Sequence, residues 1–454
     1  MEQEYLMKSL KKEYHILQVL CFITWCANVI FMIFGGIFIN KMGVSLSGIF
    51  LLNLITIIVS FFMSTLLNRM SDKMKKRKKF MLLAYFLRTI GILLLSISTN
   101  IFIFITYYVL ISLLNPLSFD VAIIYEIGEK LEFLQFKIAE KPERKNAATS
   151  FYLKYRMFGS LGWALMAPVA GFGITILNQL FPSLGILFPN LVGYRLFIFM
   201  GFIFYLVTLI VFYLAYDENL NSQVDKIMIP KQVQINGELG NTKPLNDDTR
   251  SKRTSLGYTF ILLLVTIFLF HCGTTLFQTP YKLFLNDFSK GKLELVGISY
   301  FCSAILEVPL FYLAYYLINR RGYKFTLSLS FILELTRIAL TIAVIPLNIA
   351  TLVVPLQFMN SFSLRWPSLT HGVSHELSRE NKATGMNLNL VIQKTGTLSG
   401  DLIGALISSS ISGILVYQSL FLGSFLFISL NTIIYIFGNI ILQRKKKLGR
   451  NDVD

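Results

Sequence analysis

The side chains best placed to do chemistry are ionisable groups set inside long apolar runs. Arg88, Arg156, Arg337, Arg365 and Lys394 stand against Asp120, Glu126, Glu307, Glu334 and Asp401. A charge at the centre of a bilayer-spanning helix costs about 2.5–3.5 kcal/mol on insertion scales, so each needs an opposite charge, a proton or a water-filled cavity. The chemistry open to such a set is ion pairing, capture of a polar solute and reversible protonation. Glu334 and Arg337 are three residues apart, on one helical face, where they can pair. Lys394 and Asp401 lie two turns apart, roughly 10 Å by helical rise, and flank rather than neutralise each other. Asp120 and Glu126 follow Pro116 in one run and are expected to meet Arg156 of the next. Glu307, followed by Pro309, is a candidate for a carboxyl whose charge is relieved by a proton.

No nucleophile, base and metal set accompanies these groups, and no phosphate-binding loop is present, so neither an enzyme nor a cofactor is expected. The four cysteines, Cys21, Cys26, Cys272 and Cys302, fall inside apolar runs without zinc or disulfide spacing.

The elements that carry these groups are about a dozen apolar runs of roughly 20 residues, the length a helix needs to cross hydrocarbon. Hydrophobic residues make up 54% of the 454 positions and charged residues 15%, which excludes an ordinary soluble protein. Only helices or closed barrels satisfy the backbone in lipid, so the expected class is an all-α membrane protein of twelve transmembrane helices. Six lie between Tyr14 and Tyr216 and six between Leu256 and Leu442. The net charge of +17 sits largely in alternate links, which marks an inner-leaflet face rather than a nucleic-acid surface. Lys8, Lys11, Lys12, Arg69 to Lys79, Lys130 to Lys145, Arg320, Arg321, Lys324, Arg379, Lys382 and Arg444 to Lys447 then share one side. Both termini are predicted to be cytoplasmic, in a multi-pass protein of the cell membrane.

From Asp217 to Thr254 the chain is polar and aperiodic, which reads as a linker. The expected organisation is a six-helix bundle over 1–216, a cytoplasmic linker over 217–254, a second six-helix bundle over 255–443 and a cytoplasmic tail over 444–454. The two bundles echo each other: Asn68-Arg69 recurs as Asn319-Arg320, and the stretch Arg144 to Thr149 recurs as Arg379 to Thr384. Such duplication suits two similar bundles around a midplane site.

The link NRMSDKMKKRKKF, Asn68 to Phe80, places a carboxylate before a dense basic run. Asp72 can accept bonds from a helix N-terminus or an arginine, and with Arg77 it is a candidate gate on the basic face. The string resembles the signature between the second and third helices of the major facilitator superfamily, with Asn68 and Lys75 in place of glycines. That resemblance implies two pseudo-symmetric six-helix bundles that rock about a central cavity. Within the superfamily, YRMFGSLGWAL, Tyr155 to Leu165, is similar to the arginine-bearing helix of lactose permease and its oligosaccharide/proton relatives. This similarity implies that Arg156 grips sugar hydroxyls and Trp163 stacks on the ring. Asn387 to Leu406 resembles the melibiose-type cation symporters, with Lys394 as the matching lysine, whereas their paired aspartates on the second helix are absent.

The expected function is therefore secondary active transport of a small polar solute, with a sugar or glycoside favoured and a proton favoured as the coupling cation. Arg156, Trp163, Asp120, Glu126, Asn28 and Lys394 are the expected solute-binding residues. Glu307, Asp401, Glu334 and Arg337 are the expected coupling residues, in a monomer whose partners are the bilayer, the solute and the cation. The rival reading is an efflux or facilitative carrier for organic anions or amphipathic drugs, which the core arginines would suit.

Overall fold

A computed structural model describes residues 2–74, 77–98, 100–113, 117–139, 147–181, 191–221, 223–224, 227, 257–376 and 382–451. Most of the expected linker, the first halves of the repeated stretches at 144–146 and 379–381, and the side chains of Asp72, Asp120 and His375 lie outside what is described.

The chain is built from helices. Those of its first half are α1 (Glu2–Val29), α2 (Gly35–Lys41), α3 (Leu46–Met74), α4 (Arg77–Ile97), α5 (Ile101–Leu113), α6 (Leu117–Ala139), α7 (Ala147–Leu180) and α8 (Val192–Ala215). The second half holds α9 (Tyr258–Phe288), α10 (Leu293–Ile305), α11 (Glu307–Arg321), α12 (Tyr323–Val344), α13 (Val353–Leu356), α14 (Phe362–Glu376), α15 (Lys382–Ser410) and α16 (Ile414–Asn451). Among the described residues, nine helical segments are long and apolar enough to cross a membrane. Together with α5 and α6, the stretch from Ala350 to Glu376, and α15, they retrace the twelve expected runs. Of those three runs, the fourth is described as α5 and α6 on either side of residues outside the described set, the tenth begins in short turns before α14, and the eleventh carries Lys394 and Asp401.

Several irregularities have local causes. Pro168, Pro280 and Pro367 sit inside continuous helices, which neighbouring helices make tolerable in a bilayer. Pro309 lacks the N–H that would bond the Ile305 carbonyl, and the eighth run breaks there into α10 and α11, exposing Glu307 as the first residue of the second piece. Between α1 and α2 the helix widens into a π turn, Ile30–Phe34.

Each bundle has its own buried polar anchor around an arginine of its third run. In the first half, Arg88 donates to Asn28 Oδ1 at 2.8 Å, and the same oxygen accepts from the Tyr205 hydroxyl at 2.6 Å. In the second half, Arg337 pairs with Glu334 and donates to Gln357 at 3.0 Å, while the Ser361 hydroxyl donates to Glu334 at 2.9 Å. The i,i+3 pair expected from sequence is thus present. Both arginines also lie over an aromatic ring, Arg88 at 5.1 Å from Tyr205 and Arg337 at 4.8 Å from Phe277.

The halves meet mainly along two crossings, α7 with α10 and α3 with α15. At the first, backbones touch: a Cβ on Gly171 would lie 2.6 Å from the Leu293 carbonyl and one on Gly297 2.5 Å from that of Ala167. Small residues at such a crossing let helices approach to backbone contact. At the second, Ser47 donates to the Ala405 carbonyl at 3.1 Å. Both crossings are tightest near the links 42–45, 289–292 and 411–413, the face poorer in charge although Lys290 and Lys292 lie on it, opposite the face that carries Arg77 and Arg320.

Candidate functional site

Between the halves, at mid-depth, the long helices converge on a cluster of rings and cations. Arg156 of α7 is half-buried with its guanidinium 4.2 Å from the Trp25 ring and 5.8 Å from Phe362 of α14. Arg365, one turn along α14, lies 4.3 Å from Phe270 and also 5.8 Å from Phe362. Phe362 is therefore shared by one arginine from each half. Trp163 packs at 5.5 Å against Trp25 and at 6.3 Å against Tyr300 of α10, forming an aromatic wall that bridges the halves.

Arg156 makes no ion pair among the described residues, so the expected pairing with Glu126 is not found, while the Asp120 side chain lies outside the described residues. Glu126 instead pairs with Arg77 at 2.9 Å, tying α6 to the start of α4 on the basic face. The arginine expected at the gate is thus engaged by a residue expected at the solute. The carboxylate nearest in role to Arg156 is Glu307, on which the arginine acts electrostatically. Ser160, one turn along α7 from Arg156, donates its hydroxyl to Glu307 Oε2 at 2.5 Å.

The carbonyl oxygen of Asn28 is taken by Arg88 and Tyr205 inside the first bundle, while its Nδ2 has no partner among the described residues. Lys394 and Asp401 separate into two surroundings. Lys394 is half-buried near His271 of α9, and Arg365 approaches the same imidazole. Asp401 is 1% exposed, beside Asn53 of α3, Thr279 and Lys282 of α9, and closer to the charge-poor face. Lys282 reaches across to the first half, donating to the Met32 carbonyl in the π turn at 2.8 Å. Gly36 makes room for it, because a Cβ there would lie 2.5 Å from Lys282 Cε.

Toward the basic face the halves draw apart around a cavity of about 130 Å³. Tyr125 and Tyr152 wall it from the first half, and Tyr315, Trp366 and His371 from the second. The two tyrosines of the first half stack at 5.1 Å.

Sequence reasoning passed over Trp25, His271, Lys282 and Tyr300, and gave Phe362 and Arg365 no part in binding. One signal was available: the chain has three tryptophans, and Trp25, Trp163 and Trp366 all line the space between the halves. Phe362 is one of 40 phenylalanines and carries no such mark.

The MFS_1 like family matches residues 14–421. The chain belongs to that family. Among solved structures, this family member is similar to a variant of the nucleoside transporter NupG, at 13% identity and a TM-score of 0.67, covering 93% of this chain and 99% of that one. It is also similar to a bacterial homolog of the human lysosomal transporter Spinster, at 12% identity and a TM-score of 0.62, covering 94% and 96%. A third similar structure is the peptide transporter POT in complex with sulfate, at 13% identity and a TM-score of 0.61, covering 95% and 94%. No curated protein matches the sequence. The fold is the two-bundle major facilitator fold, and the chain is a multi-pass membrane transporter of that type.

Proposed function

We propose that the chain is a secondary carrier that moves a small polar solute by alternating access, with the solute held between the halves at Arg156, Trp163, Arg365 and Phe362. The observation that carries this reading is the asymmetry of the interface. The halves touch backbone to backbone near the charge-poor face, at Gly171 and Gly297, and part around a tyrosine-lined cavity toward the basic face. If the basic links face the cytoplasm, as their Lys/Arg content argues, this is the inward-open state of the cycle.

The wall of Trp25, Trp163 and Tyr300 suits the apolar face of a ring-shaped solute such as a sugar or glycoside. Arg156, which has no ion pair among the described residues, offers a planar fork of donors to its polar edge. Proton coupling is assigned to Glu307, which sits between Ser160 and Arg156 at the meeting of the halves. The test is accumulation of labelled sugars, glycosides and their acids by proteoliposomes containing the protein, with and without a pH gradient. Flux that follows the gradient and is lost in Arg156→Lys supports the reading. Absence of flux across the panel from protein that remains folded overturns it.

A further inference from the structure

The charges around the site do not balance. Arg365 is 8% exposed, yet among the described residues its guanidinium has ring contacts and no hydrogen-bond or ion-pair partner. Arg156 is in the same condition on the other side of Phe362. Lys394 has no ion pair among the described residues either, and both it and Arg365 bear on His271. Among the described residues, two carboxylates are near enough to matter. Glu307 takes the Ser160 hydroxyl and faces Arg156. Glu334 acts on Arg365 but is committed to Arg337, with Ser361 as a further donor. Asp401 belongs to the Lys282 surroundings. Even with Glu307 ionised, the described residues of the site therefore keep two positive charges in excess.

Unpaired buried cations are costly to hold, and a site that accepts that cost in its empty form recovers it when an anion enters. We propose that the solute carries a carboxylate or phosphate group, held in the second half by Arg365 and Lys394 with the His271 imidazole beside them. Arg156 reaches the same group or its neighbour from the first half across Phe362. This rests on the carrier reading above and adds the chemical class of what is carried: a ring-like polar body against the tryptophans, with an acidic head against the cations. The two binding arginines lie on opposite bundles, so an anion between them draws the bundles together. A neutral analogue of the same shape lacks that pull.

Matched pairs of probes test this. Thermal stabilisation of the purified full chain is measured with glucuronate against glucose and with glycerol 3-phosphate against glycerol. At least one acid should stabilise the protein, its neutral partner should not, and the shift should fall with added salt. Arg365→Gln and Lys394→Gln should each weaken the acid's apparent affinity about tenfold or more, and Arg365→Lys should restore part of it. Unliganded melting of each variant separates loss of binding from loss of folding. Protection of Arg365 from phenylglyoxal by the acids, followed by mass spectrometry in the unaltered protein, gives a second readout. Equal stabilisation by acid and neutral members, or none by either acid, overturns the inference. The outcomes also part the two claims. Neutral sugar flux without acid binding leaves the carrier standing and removes the anion site. Acid binding without flux does the reverse.

Discussion

The Ser160 hydroxyl of α7 donates to the Glu307 carboxylate of α11 at 2.5 Å, joining the two halves of the molecule at mid-depth. Arg156, one turn before Ser160, bears on the same carboxylate. Protonation of Glu307 would remove the charge that Arg156 sees, so solute capture and proton binding share one set of atoms. Glu307→Gln, which mimics the protonated form, should abolish accumulation driven by a pH gradient while leaving solute exchange at equilibrium. Gradient-driven uptake that matches the unaltered protein removes Glu307 from the coupling.

Arg156→Lys keeps a positive charge but loses the planar fork and its stacking on Trp25 at 4.2 Å. Solute affinity should fall about tenfold or more, with little change in the melting temperature, because no ion pair of the scaffold is broken. Titration of the solute against thermal stability reads both quantities at once.

Glu334 and Arg337 present the opposite case. Their pair is buried at 1% and 3% side-chain exposure and is knitted to Gln357 and Ser361. Glu334→Gln leaves an arginine charge without its counterion, a change that costs about 3–5 kcal/mol in comparable buried pairs. The melting temperature should drop markedly. Glu126→Gln breaks a pair at 39% and 24% exposure and should cost under about 1 kcal/mol. A stability loss for Glu126→Gln as large as that for Glu334→Gln would contradict this ranking.

Gly297→Val places methyl groups where the Ala167 carbonyl lies 2.5 Å from the Cβ position. The α7 and α10 backbones then cannot close, and the charge-poor face should open. A cysteine at position 47, next to the Ala405 carbonyl, should become more reactive to a membrane-impermeant thiol reagent applied from that face. Unchanged labelling would show that the glycine is not needed for closure.

The runs, the doubled layout and the Glu334 to Arg337 pair were legible in the sequence because each depends on helical periodicity or on neighbours a turn apart. The partners of Arg156 and Glu126 were not. Which neighbour an arginine meets depends on the rotation of α6 about its axis, and an offset there hands Glu126 to Arg77. The partners of the Asn28 oxygen were hidden for a related reason: Arg88 and Tyr205 lie 60 and 177 residues away in sequence. Lys282 escaped notice because its acceptor is a backbone oxygen, which no sequence pattern marks.

That last contact carries a consequence of its own. The Lys282 ammonium holds the opposite bundle by the main chain of Met32, in the stretch where the helix is wound to a wider pitch. Replacing the methionine side chain would leave the acceptor untouched. A change that rewound this stretch to regular α geometry would carry the oxygen out of reach, so the tether depends on the course of the backbone rather than on the identity of residue 32.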